Sequence, residues 1–330
     1  MPSISIITPS LNQGSFIERT IQSVLNQDIP GLEYAVIDGG SADETQKILE
    51  RFSGRLYWVS EKDKGQADAV NKGIKATKGE IIGWVNSDDI YYPDALRLVV
   101  SLFEKHPEID VIYGNGNHIT IDDSMIEPYL TEPWDPERLK SRCFVCQPAV
   151  FFRRRVIDRC GVLDQRLRYC LDYEFWLRLS QEGATFFHIA EVLAGTRLHP
   201  STKTIGERMK AIQETIDMLS RKLGYVPDEW LLSYARIFLN RKGFRRMQGG
   251  RLDSSIDDIL SQKGRFGRSL GMLAVAPLLA MATVSISFLA SLRWNRSISR
   301  NMIRITAEWL RGYGGGVGGR IFSSFSGRRV

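Results

Sequence analysis

Apolar and polar positions along this chain change period in a regular way. Residues 3–8 form a β-branched apolar run that predicts a strand, and residues 15–27 then place Phe16, Ile17, Ile21, Val24 and Leu25 at helical spacing. The same alternation predicts strand 33–38 with helix 43–52, strand 55–60 with helix 66–76, and strand 80–85 with helix 94–105. Strands alternating with helices imply an α/β fold with a mostly parallel sheet flanked by helices. Residues 111–121 read as a strand interrupted by Gly114 and Gly116, and the stretch containing Pro128, Pro133 and Pro136 reads as loop and short helix. Beyond it the pattern predicts a strand over 147–152, a helix over 172–181, an extended segment over 185–198, and surface helices over 208–223 and 228–239. There is no internal repeat.

Open sheets of this class bind ligands beyond the carboxyl ends of their strands. The residues at those ends are Thr8, Asp38, Asp63 and Asp89. One Asp there does no more than end a strand and start a turn. A row of them repels itself unless cations or hydrogen-bond donors are supplied. The sharpest segment is Gly83-Trp84-Val85-Asn86-Ser87-Asp88-Asp89, an apolar strand that empties onto two adjacent carboxylates. Such a pair suits a hard divalent ion that keeps coordination sites for phosphate oxygens, and it equally suits capping of the helix that begins near Pro93.

The formal net charge of +6 on 330 residues raises the question of a polyanionic partner. The excess lies at the C-terminus: residues 263–330 carry eleven Lys and Arg against the single acid Glu308, while residues 1–262 hold 33 basic against 37 acidic residues. A nucleic-acid reading would put the basic patch on the folded body, so no nucleic-acid partner is expected. The first residues run straight into a strand without a basic leader or apolar export segment, so export is not expected either. Cys143, Cys146, Cys160 and Cys170 lack the spacing of paired zinc knuckles and read as reduced thiols.

Six blocks in order carry a resemblance. They are Ile7-Thr8-Pro9-Ser10-Leu11-Asn12, Val36-Ile37-Asp38-Gly39-Gly40-Ser41-Ala42-Asp43, the run from Asp63 to Gly73, Asn86-Ser87-Asp88-Asp89, Asp172-Tyr173-Glu174-Phe175-Trp176 and Arg197-Leu198-His199-Pro200. Over roughly residues 3–205 their order and spacing resemble the family 2 glycosyltransferases, with the GT-A (Rossmann-like) fold. The resemblance implies an inverting transfer of one sugar from a nucleotide-diphosphate sugar, with Mg2+ or Mn2+ as cofactor. It implies that Thr8, Pro9 and Asp38 line the nucleotide pocket and that Asp63, Lys64, Gln66 and Asn71 lie along the nucleotide. Asp88 and Asp89 match the family's D-x-D element, with Asp89 as direct metal ligand, Asp88 nearer the ribose or sugar, and His199 completing the metal site. Asp172 matches the catalytic base that takes the acceptor's proton, at a helix start where the dipole favours its ionised form.

Two departures refine the expectation. Many members carry two acids before the Gly-Ser, and here the second is Gly39, which leaves the identity of the base open among uracil, thymidine and guanosine donors. The Q-x-x-R-W block of processive synthases is absent, since the chain continues Phe175-Trp176-Leu177-Arg178-Leu179, which favours single addition. There is neither a G-x-x-x-x-G-K-[ST] loop nor a G-x-G-x-x-G fingerprint. The alternatives are a nucleotide-sugar or glycan binding module of the same fold without turnover, and a nucleotidyltransferase. The second needs a basic Gly-rich loop after the first strand, where this chain has Pro-Ser-Leu-Asn-Gln-Gly.

Residues 270–292 contain no charge and are flanked by Lys263, Arg265 and Arg268 before and Arg293, Arg296 and Arg300 after. Arg293, Arg296, Arg300, Arg304 and Arg311 then share one helical face, opposite Ile298, Met302, Ile305 and Trp309. The expected organisation is a catalytic domain over 1–205, a helical extension over 206–262, and a membrane-associating tail over 263–330 with a disordered end. Such a tail implies a peripheral or monotopic enzyme on the cytoplasmic face of a membrane and a lipid-linked oligosaccharide acceptor in surface polysaccharide synthesis.

Overall fold

A computed structural model describes residues 2–199, 202 and 206–241. The tail expected over 263–330 lies outside the described residues. Two compact units divide at Met218/Leu219.

In the first unit, strands β1 (Ile4–Ser10), β2 (Glu33–Asp38), β3 (Tyr57–Ser60) and β4 (Ile81–Trp84) pair in parallel in the order β3-β2-β1-β4. All seven residues of β1 are buried, as befits a central parallel strand covered on both faces. Helices α1 (Ile17–Leu25), α2 (Thr45–Arg51) and α3 (Gln66–Ala76) form the crossovers. On α1 the residues Ile17, Ile21 and Val24 are buried at the predicted spacing. Helix α3 approaches β1 through Gly73, where a Cβ would lie 2.4 Å from Ile7 Cγ2.

The remaining elements are β5 (Ile90–Tyr91), α4 (Ala95–Lys105), β6 (Val111–Ile119), β7 (Met125–Pro128), α5 (Pro136–Ser141), β8 (Val150–Arg153), α6 (Arg155–Cys160), α7 (Leu171–Gln181) and β9 (Phe186–Arg197). They extend one sheet in the order β4-β8-β6-β9-β5, with β7 on a free edge of β6. The sheet is mixed rather than mostly parallel: β4/β8, β8/β6, β6/β7 and β9/β5 are antiparallel. Two antiparallel steps restore direction, however, so β6 and its parallel partner β9 run the same way as β1 and β4. Their carboxyl ends therefore share one edge, which brings the residues after β9 to those after β4.

Three elements were not expected. Strand β7 was read as loop because all four of its residues are exposed and it ends on Pro128, the composition of an edge strand. Strand β5 and helix α6 are too short to show a period. Strand 147–152 begins instead as a 3-10 turn over Gln147–Ala149, since Pro148 has no amide hydrogen for a ladder. Helix α7 is buried along most of its length, with Trp176 stacked on Trp84 at 5.5 Å and Phe175 edge-on to Phe152 at 5.4 Å. Its buried Glu174 is paired with Arg178 at 3.0 Å. Helix α8 (Arg208–Leu223) follows, and the second unit contains α9 (Asp228–Arg241). No helix of the described residues is long and apolar enough to cross a membrane.

Gly73→Ala separates two effects of opposite sign. Helix propensity alone favours Ala by about 1 kcal/mol. Overpacking against Ile7 costs about 1–3 kcal/mol. We expect net destabilisation in urea unfolding; a more stable variant would show that α3 can move off β1 freely.

Candidate functional site

The turn after β4 is held from four directions. Asn86 accepts from Gln66 Nε2 at 2.7 Å and donates through Nδ2 to Asp89 Oδ2 and to Gln147 Oε1, each at 3.0 Å. Gln147 in turn donates to the Trp84 carbonyl at 2.9 Å. Thr20 Oγ1, on α1, lies 3.0 Å and 2.7 Å from the carbonyls of Ser87 and Asp89. Arg197, 1% exposed at the end of β9, donates its Nε to the Asp88 carbonyl at 2.7 Å and its backbone amide to Asp89 Oδ1 at 2.9 Å. The Arg197 guanidinium also pairs with Asp123 and sits over the Phe16 ring.

This bracing gives the two carboxylates different fates. Asp89 is 3% exposed, and its oxygens accept from Arg197, Asn86 and Thr196. Burial first, and the Asp88 charge second, push its carboxyl up to about 8 against those bonds. Asp88 is the more open of the two, with its side chain 20% exposed and Oδ2 3.0 Å from His199 Nε2. The His199 ring packs on Phe16 with centroids 4.7 Å apart. Asp89 was expected as the direct metal ligand; the geometry puts Asp88, not Asp89, beside His199. Neighbouring donors on an octahedral ion with bonds of 2.0–2.1 Å lie about 3 Å apart, so the Asp88/His199 spacing of 3.0 Å fits two ligands of a Mg2+ or Mn2+ ion. Among the described residues no third His, Cys, Asp or Glu completes a cluster with them, so the remaining positions would fall to substrate phosphate or water.

Several residues expected around the nucleotide spend their side chains inside the protein. Thr8 is fully buried with Oγ1 3.0 Å from Tyr34 Oη, and Pro9 is buried beside it. Asp38, also fully buried, accepts from Gly40 N at 3.2 Å, Ser41 N at 2.8 Å, Ser41 Oγ at 2.5 Å and Ser60 Oγ at 2.6 Å. It shapes the Gly39–Ser41 turn rather than opening to a pocket. Asn71 bonds both ways with the Leu163 backbone, at 2.9 and 3.0 Å. The more open groups are Asp63 and Lys64, while Ser10 Oγ is buried without a partner among the described residues. Asp63 is pushed up chiefly by burial, while the Gly65 amide at 2.8 Å opposes the shift. A Cβ on Gly39 would lie 2.8 Å from Asp63 Oδ2. The position where an acid was missing from the sequence is thus faced by a carboxylate from the next strand end.

Asp172 stands in the first turn of α7, its Oδ1 accepting from the Tyr173 amide at 2.8 Å. Burial raises its carboxyl above the ordinary range, the Tyr173 N–H opposes this, and the Glu214 charge adds to it. Cys146 lies within electrostatic reach of both Asp89 and Asp172, which ties the two acids to one region. A carboxylate of raised proton affinity near a strand-end turn can accept a proton from a bound hydroxyl. The four cysteines form no disulfide with one another. Thr20, Gln147 and Arg197 were not among the expected site residues. Their signal is not local: each acts through contacts 61 to 109 residues away, of which Arg197 to Asp88 spans 109, Thr20 to Asp89 spans 69 and Gln147 to Asn86 spans 61.

Comparison with known proteins bears on the same region. Residues 5–161 match the family model described as Glycosyl transferase family 2. The chain is 26% identical, over 81% of its length and 92% of the relative's, to an uncharacterized glycosyltransferase of Rickettsia prowazekii. It is 28% identical to a chondroitin synthase of Escherichia coli over 69% of its own length, spanning only 34% of that protein. Among solved structures, the mannosyltransferase PcManGT of Pyrobaculum calidifontis, in complex with GDP-Man and Mn2+, superposes with a TM-score of 0.53 at 15% identity, covering 96% of this chain and 88% of that one. The fold is accordingly the GT-A-like α/β fold of glycosyltransferases, with a curled mixed sheet.

The buried acids set a stability trend. Burial raises the Asp89 carboxyl in the native protein, so the folded chain holds that proton at pH values above about 4, where the unfolded chain has released it. The native state binds more protons in this window, so stability falls as pH rises through it. Urea midpoints at pH 5 and pH 8, without divalent metal, should show this decline, and Asp89→Asn should reduce it. An unchanged slope in the variant would mean that Asp89 is ionised in the native protein.

Proposed function

We propose that this chain, whose residues 5–161 match the Glycosyl transferase family 2 model, moves one sugar with inversion from a nucleotide-diphosphate sugar to a carbohydrate hydroxyl. The observation that carries the reading is the placement of two unlike acid sites in one region: Asp88 beside His199 after β4, and the raised carboxyl of Asp172 at the head of α7.

Asp172, as a carboxylate, takes the proton of the acceptor hydroxyl while that oxygen attacks the anomeric carbon and the bond to the departing diphosphate breaks. Glu174 in the same turn is buried and held by Arg178, which leaves it unsuited to act as a nucleophile and supports direct displacement. Asp88 and His199 would hold Mg2+ or Mn2+, and Arg197, Thr20 and Asn86 keep their turn in shape. The bound ion supplies charge to offset the negative charge of the leaving diphosphate. Ser10, Asp63 and Lys64 face the nucleotide, with Asp63 reading the base in place of the acid absent at Gly39. The chondroitin synthase relative and the mannosyltransferase neighbour support a polysaccharide or glycan acceptor and a metal-assisted reaction.

The acceptor in this proposal is a lipid-linked oligosaccharide, met on the cytoplasmic face of a membrane. Support comes from the uncharged run 270–292 and the Arg face that follows it.

With manganese and a panel of nucleotide sugars, we expect donor-selective release of nucleoside diphosphate. Asp172→Asn should lower kcat by about 10²- to 10⁴-fold, and Asp88→Asn should raise the metal concentration needed for half-maximal rate. Donor binding by calorimetry with no release, even with membrane lipid extract as acceptor source, would instead indicate a binding module. Deleting residues 263–330 should release the protein from membranes in a flotation assay; a truncated form that still floats with lipid would refute the role given to the tail.

A further inference from the structure

The head of α7 has no cap of its own, because the N-cap residue Cys170 makes no side-chain capping bond. The amides of the loop that leads into it are met by a carboxylate from a separate helix. Glu214 Oε1, on α8, accepts from the backbone amides of Arg168 at 3.0 Å, Tyr169 at 2.7 Å and Cys170 at 3.0 Å. Its Oε2 also lies 3.0 Å from the Arg168 amide. Tyr169 Oη donates to Glu207 Oε2 at 2.6 Å, a second tie between the same loop and the residues just before α8. Three amides converging on one carboxylate fix the loop that leads into Asp172 two residues later.

We propose that Glu214 is the positioning residue of the transfer reaction, holding the first turn of α7 so that the Asp172 carboxylate meets the acceptor hydroxyl, and biasing its protonation by its own charge. This rests on the reading of Asp172 as the base. The other titratable groups around Asp172 are Tyr129, Cys143, Cys146 and Cys170, with Arg142 acting on Tyr129. Burial pushes the phenol and the three thiols up, so they stay neutral at pH 7. Arg142 is drawn toward Glu132 at 3.8 Å. Glu214 is thus the neighbour whose charge bears on Asp172.

The test uses the full chain, with Glu214→Gln and Glu214→Ala beside Asp172→Asn. Glu214→Gln keeps an acceptor for the amides and removes the charge, so the acid limb of the kcat/KM profile should move to lower pH with donor KM unchanged. Glu214→Ala frees the loop and should lower kcat by about 10- to 100-fold, again without raising donor KM. The Asp172 carboxyl, assigned by its loss in Asp172→Asn, should titrate at lower pH in Glu214→Gln when followed by carbon-13 NMR. An unmoved NMR midpoint, an unmoved acid limb, or wild-type kcat in Glu214→Ala would each overturn the proposal. If the wild type transfers no sugar, the transferase reading falls, while the NMR midpoint still decides whether Glu214 acts on Asp172. If Glu214→Ala melts below the assay temperature, the Gln variant and its NMR midpoint decide alone.

Discussion

A carboxyl group taken out of water must be met by hydrogen-bond partners, and the architecture around this site follows from how that requirement is satisfied. Asp89 is nearly inaccessible, and one of its donors is the Arg197 amide 108 residues away. That bond, with the Arg197 side chain on the Asp88 carbonyl, ties the turn after β4 to the end of β9. An unmet buried carboxylate would be costly. The tie therefore holds the far half of the sheet in register with the near half where the site is built. With Asp89 consumed internally, Asp88 is left beside His199.

The same logic recurs at the other acids, each resolved differently. Asp38 closes a turn on two amides and two hydroxyls and becomes structural. Glu174 is neutralised by Arg178, and Glu214 is occupied by the amides ahead of α7. Asp63 and Asp172 have fewer donors than their burial requires, and both are held above the ordinary carboxylate range. An incompletely satisfied carboxyl is the kind of group that can still receive a proton or a ligand, which makes Asp63 and Asp172 candidate functional acids.

Much of the near half was legible along the chain. The burial of Ile17, Ile21 and Val24 on α1 and the unbroken burial of β1 follow from periodicity, because a pattern of apolar residues records which face meets the core. The far half was less legible. Strand β8 is a buried apolar run like β4, yet the two are antiparallel. A buried strand shows no alternation from which direction could be inferred. Strand β7, with every residue exposed, left no apolar signal at all.

By itself the sequence determined the βα alternation, the acids that end the strands, and the ordered blocks that carry the family resemblance. Those depend on residue type and short spacing, which a chain carries wherever it folds. Only the tertiary structure decided which of Asp88 and Asp89 stays open, why Gly39 faces Asp63, and how Glu214 comes to hold the head of α7. The physical reason is common to all three. The state of a carboxylate is set by the donors and charges that surround it, and here those come from segments tens of residues distant, joined only when the sheet and its helices pack.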